Sequence, residues 1–334
     1  MASNIIALES SCDETSASII QDGKVLSNTI LSQSIHEIYG GVVPELASRA
    51  HQQHIISVVN QALKEAGVSI DELDAIAVTQ GPGLLGALLV GISFAKGLSI
   101  AKNIPLISVN HMQAHILAHF IDEPRPNFPF LCLTISGGHT QLVLVKNHLD
   151  MKVLGETQDD AVGEAFDKIG KMLGFPYPSG YLIDEHAKAG DPEKFKFPLT
   201  SMPGYNYSFS GIKTAMLYFL RDQLKDDSSF IEKNLNDLCA SIQHTLIAML
   251  MEKLILCANE NGIKDIAIAG GVAANSQIRN FVRGLSDQYN WKTYIPKLEY
   301  CTDNAAMIGI AGYYKYLQGV FSDLTVIPDA RLKF

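Results

Sequence analysis

The feature that most constrains this chain is a strand pattern that occurs twice. Asn4–Glu9 reads as a buried strand, and a polar turn, Ser10-Ser11-Cys12-Asp13-Glu14, leads to a second strand at 15–21. Asp22-Gly23 then gives a hairpin signal before a third strand at 25–31. From Phe128 the pattern restarts, with strands at 129–135, 140–145 and 152–156 and the tight turn Ser136-Gly137-Gly138-His139 after the first of them. A chain of 334 residues exceeds the usual size of one hydrophobic core. Two lobes are therefore expected, 1–127 and 128–334, with a ligand cleft between them.

The remainder of each half alternates helix and strand. In the first, a helix at 44–66 carries Pro44 in its first turn and stops at Gly67, followed by a strand at 75–79. The turn Gln80-Gly81-Pro82-Gly83 opens a helix to about 101, and a strand at 105–109 leads into a histidine-bearing helix. The order β-β-β-α-β-α-β-α predicts an α/β fold with a mixed sheet. In the second half, helices are expected at 161–174, 180–189, 211–224 and 229–261, most of them in an insertion around 157–260. A strand at 265–269, a helix at 274–288, a strand at 293–295 and a closing helix at 303–318 complete the lobe, and 190–207 reads as a surface excursion.

Composition narrows the function classes. No basic residue precedes the first apolar run, and Glu9 follows it, so a secretory leader is not expected. The longest apolar candidate, 84–100, is interrupted by Gly86, Gly91, Lys96 and Gly97, so no membrane span is expected. Cys12, Cys132, Cys239, Cys257 and Cys301 lack CxxC spacing and fit reduced thiols in a cytoplasmic protein. A net charge of −9 argues against RNA chemistry by this chain unaided.

The chemistry centres on Asn110-His111-Met112-Gln113-Ala114-His115. Positions i and i+4 share one helix face, so both imidazoles could hold one metal ion. By itself such a pair is more often a partly exposed surface. Asp303 supplies the third ligand, although Thr302 or Asp303 could instead merely cap the last helix. Two histidines and one carboxylate leave positions open for water or substrate and suit iron or zinc. A zinc protease would need glutamate directly after the first histidine, where this chain has Met112.

Three turns, at Ser10–Glu14, Ser136–His139 and Gly270-Gly271, present backbone N–H groups suited to phosphate. Asp167 lies on a helix whose polar stripe, with its Glu164–Lys168 pair, is by default a solvated face. Pro178-Ser179-Gly180-Tyr181 followed by Asp184 is by default a turn and a helix start, and Asp13 and Glu14 a capped turn. His139 is singled out among the remaining histidines by its place in the glycine turn.

The segments IALESSCDETSASI, GGVVPELASRAH, TQGPGLLGALLVG, NHMQAHILAH, ISGGHTQLVLV, GEAFDKIGKMLG, NYSFSGIKTA, AGGVAANSQIR and YCTDNAAMIG resemble, in order, the universal Gcp/TsaD family. These are tRNA adenosine threonylcarbamoyltransferases of the acetate kinase, heat-shock chaperone and actin superfamily. The resemblance spans essentially the whole chain and implies a two-lobed actin-like ATPase (ASKHA) fold, with RNase H-like lobes and mixed sheets. It implies one divalent metal, iron before zinc, held by His111, His115 and Asp303. It further implies a site for threonylcarbamoyl-AMP or ATP made by Thr134, Ile135, Ser136, Gly137, Gly138, Asp167, Gly180, Asp184 and Asn275. The group would pass to the N6 amine of the adenosine beside the anticodon of tRNA, with release of AMP, and Asp13 or Glu14 would position or deprotonate that amine.

Implied partners are tRNA, a paralogous TsaB-type subunit docking on helices 44–66 and 84–101, a TsaE-type small ATPase and an upstream threonylcarbamoyl-AMP synthase, with no membrane. Where the family commonly shows Tyr-Pro-Gly-Gly-Pro, this chain has Tyr177-Pro178-Ser179-Gly180-Tyr181. Two rival functions fit the same fold: a small-molecule kinase, against which the histidine pair argues, and a nucleotide-gated binding protein without catalysis.

Overall fold

The computed structural model describes residues 3–334. They form two compact units, one of residues up to Arg125 with Lys146–Met151 and Pro296–Phe334, the other of Pro126–Val145 and Lys152–Ile295. The first sheet contains β1 (Asn4–Glu9), β2 (Glu14–Gln21), β3 (Lys24–Ser32), β4 (Ala75–Gly81) and β5 (Leu106–Asn110) in the order β3-β2-β1-β4-β5. β1, β2 and β3 pair antiparallel, whereas β4 runs parallel to both β1 and β5. Asp22 (φ 48°) and Gly23 (φ 78°) both take left-handed backbone, as a tight two-residue hairpin requires.

The second sheet comprises β6 (Phe130–Ile135), β7 (Thr140–Val145), β8 (Met151–Glu156), β9 (Asp265–Ala269) and β10 (Lys292–Tyr294). Its order, β10-β9-β6-β7-β8, repeats that of the first sheet, with β6 antiparallel to β7 and parallel to β9. The duplicated meander thus makes two units of one topology, the α/β actin-like ATPase fold.

In the first unit, Pro44–Ala66 and Leu85–Lys102 bury Val58, Val59, Ile92 and Ala95 against Ile6, Leu8, Ile76 and Val78. Gly67 ends the former helix in left-handed backbone (φ 67°). Helix Ala305–Leu317 departs from the expected division. Chain order assigns it to the second lobe, but it packs in the first unit, on β1, β2 and β4. The contact is close because Gly309 and Gly312 face the sheet: a Cβ added there would lie 2.4 Å from Ile20 Cγ1 and 2.5 Å from Ala77 Cβ, respectively.

Two helices, Leu85–Lys102 and Phe230–Asn261, are long and apolar enough to cross a membrane by length and composition. The first is the helix expected up to about 101, and Gly86, Gly91 and Gly97 lie within it. The second is a core helix of its unit, with 78% of its apolar window buried. Leu85–Lys102 packs one face and leaves Leu85, Leu89 and Ile100 exposed.

Candidate active site

In the first unit, three parallel strands bring their C-terminal ends to one edge, where open α/β sheets place their ligands. β1 ends at Glu9, β4 carries Thr79 near its end, and β5 runs directly into helix His111–Leu117. Asn110 caps that helix, its side chain accepting from Met112 N (2.9 Å) and Gln113 N (3.1 Å). Both histidines are buried, with rings edge-to-face and centroids 4.7 Å apart.

Asp303 completes the cluster from the segment ahead of Ala305–Leu317. Its Oδ1 lies 3.3 Å from His111 Nε2 and 3.1 Å from His115 Nε2. The cap of that helix is Asn304, whose side chain accepts from Met307 N at 3.0 Å, so the Asp303 carboxylate is free to face the histidines. The donor atoms of His111, His115 and Asp303 all lie within 4.8 Å of one another. Among the described residues His115 Nδ1 has no hydrogen-bond partner, so Nε2 is the nitrogen through which this imidazole acts. Two imidazoles and a carboxylate, converging from one side, fit a divalent metal with open positions. Met112 is a buried core residue, which excludes the protease arrangement.

Glu9 escaped notice in the sequence and is central to the geometry. It is buried, its Oε2 accepts from Thr79 Oγ1 at 2.7 Å and lies 2.9 Å from His111 Nδ1, and its Oε1 accepts from Ser11 N. A carboxylate on Nδ1 fixes the tautomer that leaves Nε2 free to ligate. Burial disfavours charge on His111, yet Asp303 and Glu9 hold its pKa well above the usual value. Burial likewise opposes charge on Glu9 and Asp303, and His111 keeps both carboxyls below the usual range. Burial lowers the pKa of His115, favouring the neutral imidazole a metal requires. Glu9→Gln is expected to weaken metal affinity about 10–100-fold, read by competition with a chelator; unchanged affinity would contradict the orienting role.

The turn after β1 is held by His51, whose Nδ1 lies 2.7 Å from Thr15 Oγ1 and whose Nε2 lies 2.9 Å from Cys12 O. Glu14 feels burial first, then the charges of Asp303 and Asp13, and its pKa is pushed up to about 9.

The remaining expected residues lie in the second unit. Thr134 and Ile135 are fully buried in β6, where they position the turn rather than expose side chains. Ser136 closes that turn, its N donating to His139 O (2.8 Å) and its Oγ accepting from His139 N (3.1 Å). Gly137 and Gly138 face open space, whereas a Cβ on Gly163 would lie 2.6 Å from Ser136 O, so helix Val162–Met172 passes directly beside the turn. Gly270 (φ +91°) approaches the same strand end, since its added Cβ would lie 2.4 Å from Ile135 O.

Asp167 accepts from Ser179 N at 2.7 Å and so holds the start of helix Gly180–Ala187. Burial raises its pKa. The departure in this turn is accommodated: Ser179 is buried with its Oγ donating to Pro176 O (2.9 Å), beside Gly170, and Tyr181 lies on the surface, 61% exposed. Asp184 and Asn275 are drawn together by Ser276, which donates to Asp184 from N and Oγ, both at 2.9 Å. Glu164 and Lys168 form the surface pair expected of them, 2.8 Å apart.

Residues 24–310 match the family model described as TsaD, tRNA N6-adenosine threonylcarbamoyltransferase. The chain belongs to the TsaD family. Curated proteins named tRNA N6-adenosine threonylcarbamoyltransferase are 60% identical in Cytophaga hutchinsonii, over 100% of this chain and 97% of that protein, and 58% identical in Christiangramia forsetii, over 99% and 98%. As a TsaD-family member the chain is a transferase that acts on tRNA. Among solved structures, HypF of T. kodakarensis superposes with a TM-score of 0.62 at 13% identity, over 98% of this chain and 49% of HypF. The (R)-2-hydroxyglutaryl-CoA dehydratase component A of Acidaminococcus fermentans gives 0.56 at 15% identity, over 94% and 99%. At these identities the likeness concerns the fold alone.

Proposed function

We propose that this TsaD-family chain transfers threonylcarbamoyl from threonylcarbamoyl-AMP to the N6 amine of the adenosine next to the anticodon, in tRNAs reading codons that begin with A, releasing AMP. The observation that carries this reading is the convergence of His111, His115 and Asp303 in a chain of this family. The amine nitrogen forms a bond to the carbamoyl carbon, the bond from that carbon to the phosphate oxygen breaks, and AMP leaves with the electron pair. A proton must also leave the amine. The three residues would hold one divalent metal, iron first and zinc second, which supplies Lewis acidity for the carbonyl and neutralises the leaving phosphate.

Asp13 and Glu14 follow β1, and Glu14 lies within the electrostatic reach of Asp303. Burial and the charges of Asp303 and Asp13 push the Glu14 pKa up to about 9 in the metal-free chain, which suits Glu14 to hydrogen bonding, and Asp13 or Glu14 positions or deprotonates the amine. In single-turnover transfer, Asp13→Asn is expected to slow the reaction about 10²–10⁴-fold and Glu14→Gln less. Unchanged rates in both would remove these two residues from the mechanism.

The nucleotide of the donor is assigned to the backbone amides of Ser136, Gly137 and Gly138 and to Asp167, Gly180, Asp184 and Asn275. Open space at the two turn glycines supports this, because a phosphate can approach the N–H groups. A TsaB-type paralogue is assigned to helices Pro44–Ala66 and Leu85–Lys102, where Ile56, Leu85, Leu89 and Ile100 are each more than half exposed. A chain of net charge −9 meets tRNA with the help of partners, among them a TsaE-type ATPase, while the synthase supplies the donor. Cys12, Cys132, Cys239 and Cys257 are free thiols, in keeping with the cytoplasm.

A further inference from the structure

Helix Phe230–Asn261 buries a glutamine, Gln243, that is 1% exposed. A buried amide must satisfy its oxygen and its NH2 group, and the partners here are informative. Asn275 Nδ2 donates to Gln243 Oε1 at 2.7 Å, and Gln243 Nε2 donates to Asp184 Oδ1 at 3.2 Å. The direction of this chain is fixed from one end. Asn275 Oδ1 caps helix Ser276–Tyr289, accepting from Gln277 N (3.1 Å) and Ile278 N (3.0 Å), so its NH2 group must point away from that helix. The oxygen of Gln243 meets that NH2, which leaves the NH2 of Gln243 for the carboxylate.

Asp184 accepts from Gln243 and Ser276 N and twice engages Oδ1, leaving capacity on Oδ2 for one more donor. Asn275 retains one N–H. A free acceptor and a free donor suit a ribose hydroxyl and an acceptor atom of the same nucleotide.

We infer that Gln243 is a positioning residue for nucleotide binding: by joining Asp184 to Asn275 it sets which atoms of these two side chains face the nucleotide. This rests on the assignment of Asp184 and Asn275 to that ligand. Gln243 also borders a cavity of about 350 Å³ with Ala187, Gln277 and Phe281, so side chains of different shape can be accommodated there without overpacking.

The test is calorimetric titration of the full chain with AMP from pH 5.5 to 9, comparing wild type with Gln243→Leu, Gln243→Glu, Asp184→Ala and Asn275→Ala, each checked for an intact thermal transition. Gln243→Leu is expected to weaken AMP about tenfold at every pH, since it leaves the buried Asp184 and the half-buried Asn275 each short of a partner. Gln243→Glu is expected to match wild type at pH 5.5, where its protonated carboxyl both accepts from Asn275 and donates to Asp184. It is expected to lose about tenfold by pH 9, where two carboxylates face each other. A purely packing role would show no such pH-dependent recovery. The inference is overturned if Gln243→Leu binds as wild type, or if Gln243→Glu shows a pH-independent ratio to wild type, while Asp184→Ala and Asn275→Ala still weaken AMP. If those two alanine variants bind AMP as wild type does, or wild type binds none, the nucleotide assignment itself fails and takes the role of Gln243 with it.

Discussion

His111→Ala is expected to purify without stoichiometric metal and to transfer threonylcarbamoyl about 10³-fold more slowly than wild type, through a loss of kcat. The magnitude follows from the several kcal/mol that a Lewis-acidic metal contributes, at about 1.4 kcal/mol per factor of ten. His111 is a ligand candidate through Nε2 and the partner of Glu9 through Nδ1, so its removal also leaves the buried Glu9 carboxylate without the imidazole that holds it ionised. A stability cost of about 1–3 kcal/mol should accompany the loss of metal, since a buried acceptor loses its partner. Metal analysis of the purified variant checks the first part and thermal unfolding the second. A variant that retains one metal per chain and transfers at the wild-type rate would remove His111 from the centre.

Gly312→Leu is expected to act on the same centre from the opposite side of a helix. The added side chain would enter the space of Ala77 on β4, where even a Cβ would come within 2.5 Å, and the helix Ala305–Leu317 must move to accommodate it. Overpacking of this kind costs about 3 kcal/mol. For a unit of this size that corresponds to a fall of roughly 6–12 °C in melting temperature. Because Asp303 lies two residues ahead of that helix, its displacement withdraws the carboxylate from the histidines, and metal affinity should fall with stability. Leu317→Ala, on the exposed side of the same helix, should change neither. An unchanged melt and full metal content in Gly312→Leu would contradict the close packing of helix on sheet.

Much of this was legible from residue order, and the reasons are local. The meanders announce themselves through alternation and the Asp22-Gly23 turn, both of which act over a few residues. The histidine pair was legible because i and i+4 share a helix face even when, as here, the helix His111–Leu117 is short. Asp303 could be named by residue type, but whether it caps the last helix or faces the histidines is decided by its neighbour Asn304, which takes the cap.

Glu9 was illegible because a carboxylate at the end of an apolar strand reads as the edge of a turn. Only β4 and the helix that follows β5, brought alongside by parallel pairing, supply Thr79 and His111. A clue was present in the placement of one charge directly after five otherwise compatible strand residues. Gln243 was hidden in a 32-residue helix whose polar residues are spread around its circumference, so that no single polar face marks it. The position of the closing helix was missed because chain order does not say which sheet a terminal helix covers; the small residues Gly309 and Gly312 on its buried face are the sign that it packs closely on something.

The most direct measurement is transfer of radiolabelled threonylcarbamoyl from its adenylate to tRNA by the intact chain, with and without the partner proteins, with AMP release and metal content followed in the same samples. The expected result is label on the N6 position of adenosine in tRNA, matched one for one by AMP and dependent on the metal. No label in tRNA under any combination of partners, from a chain that holds its metal and still binds nucleotide, would contradict the account.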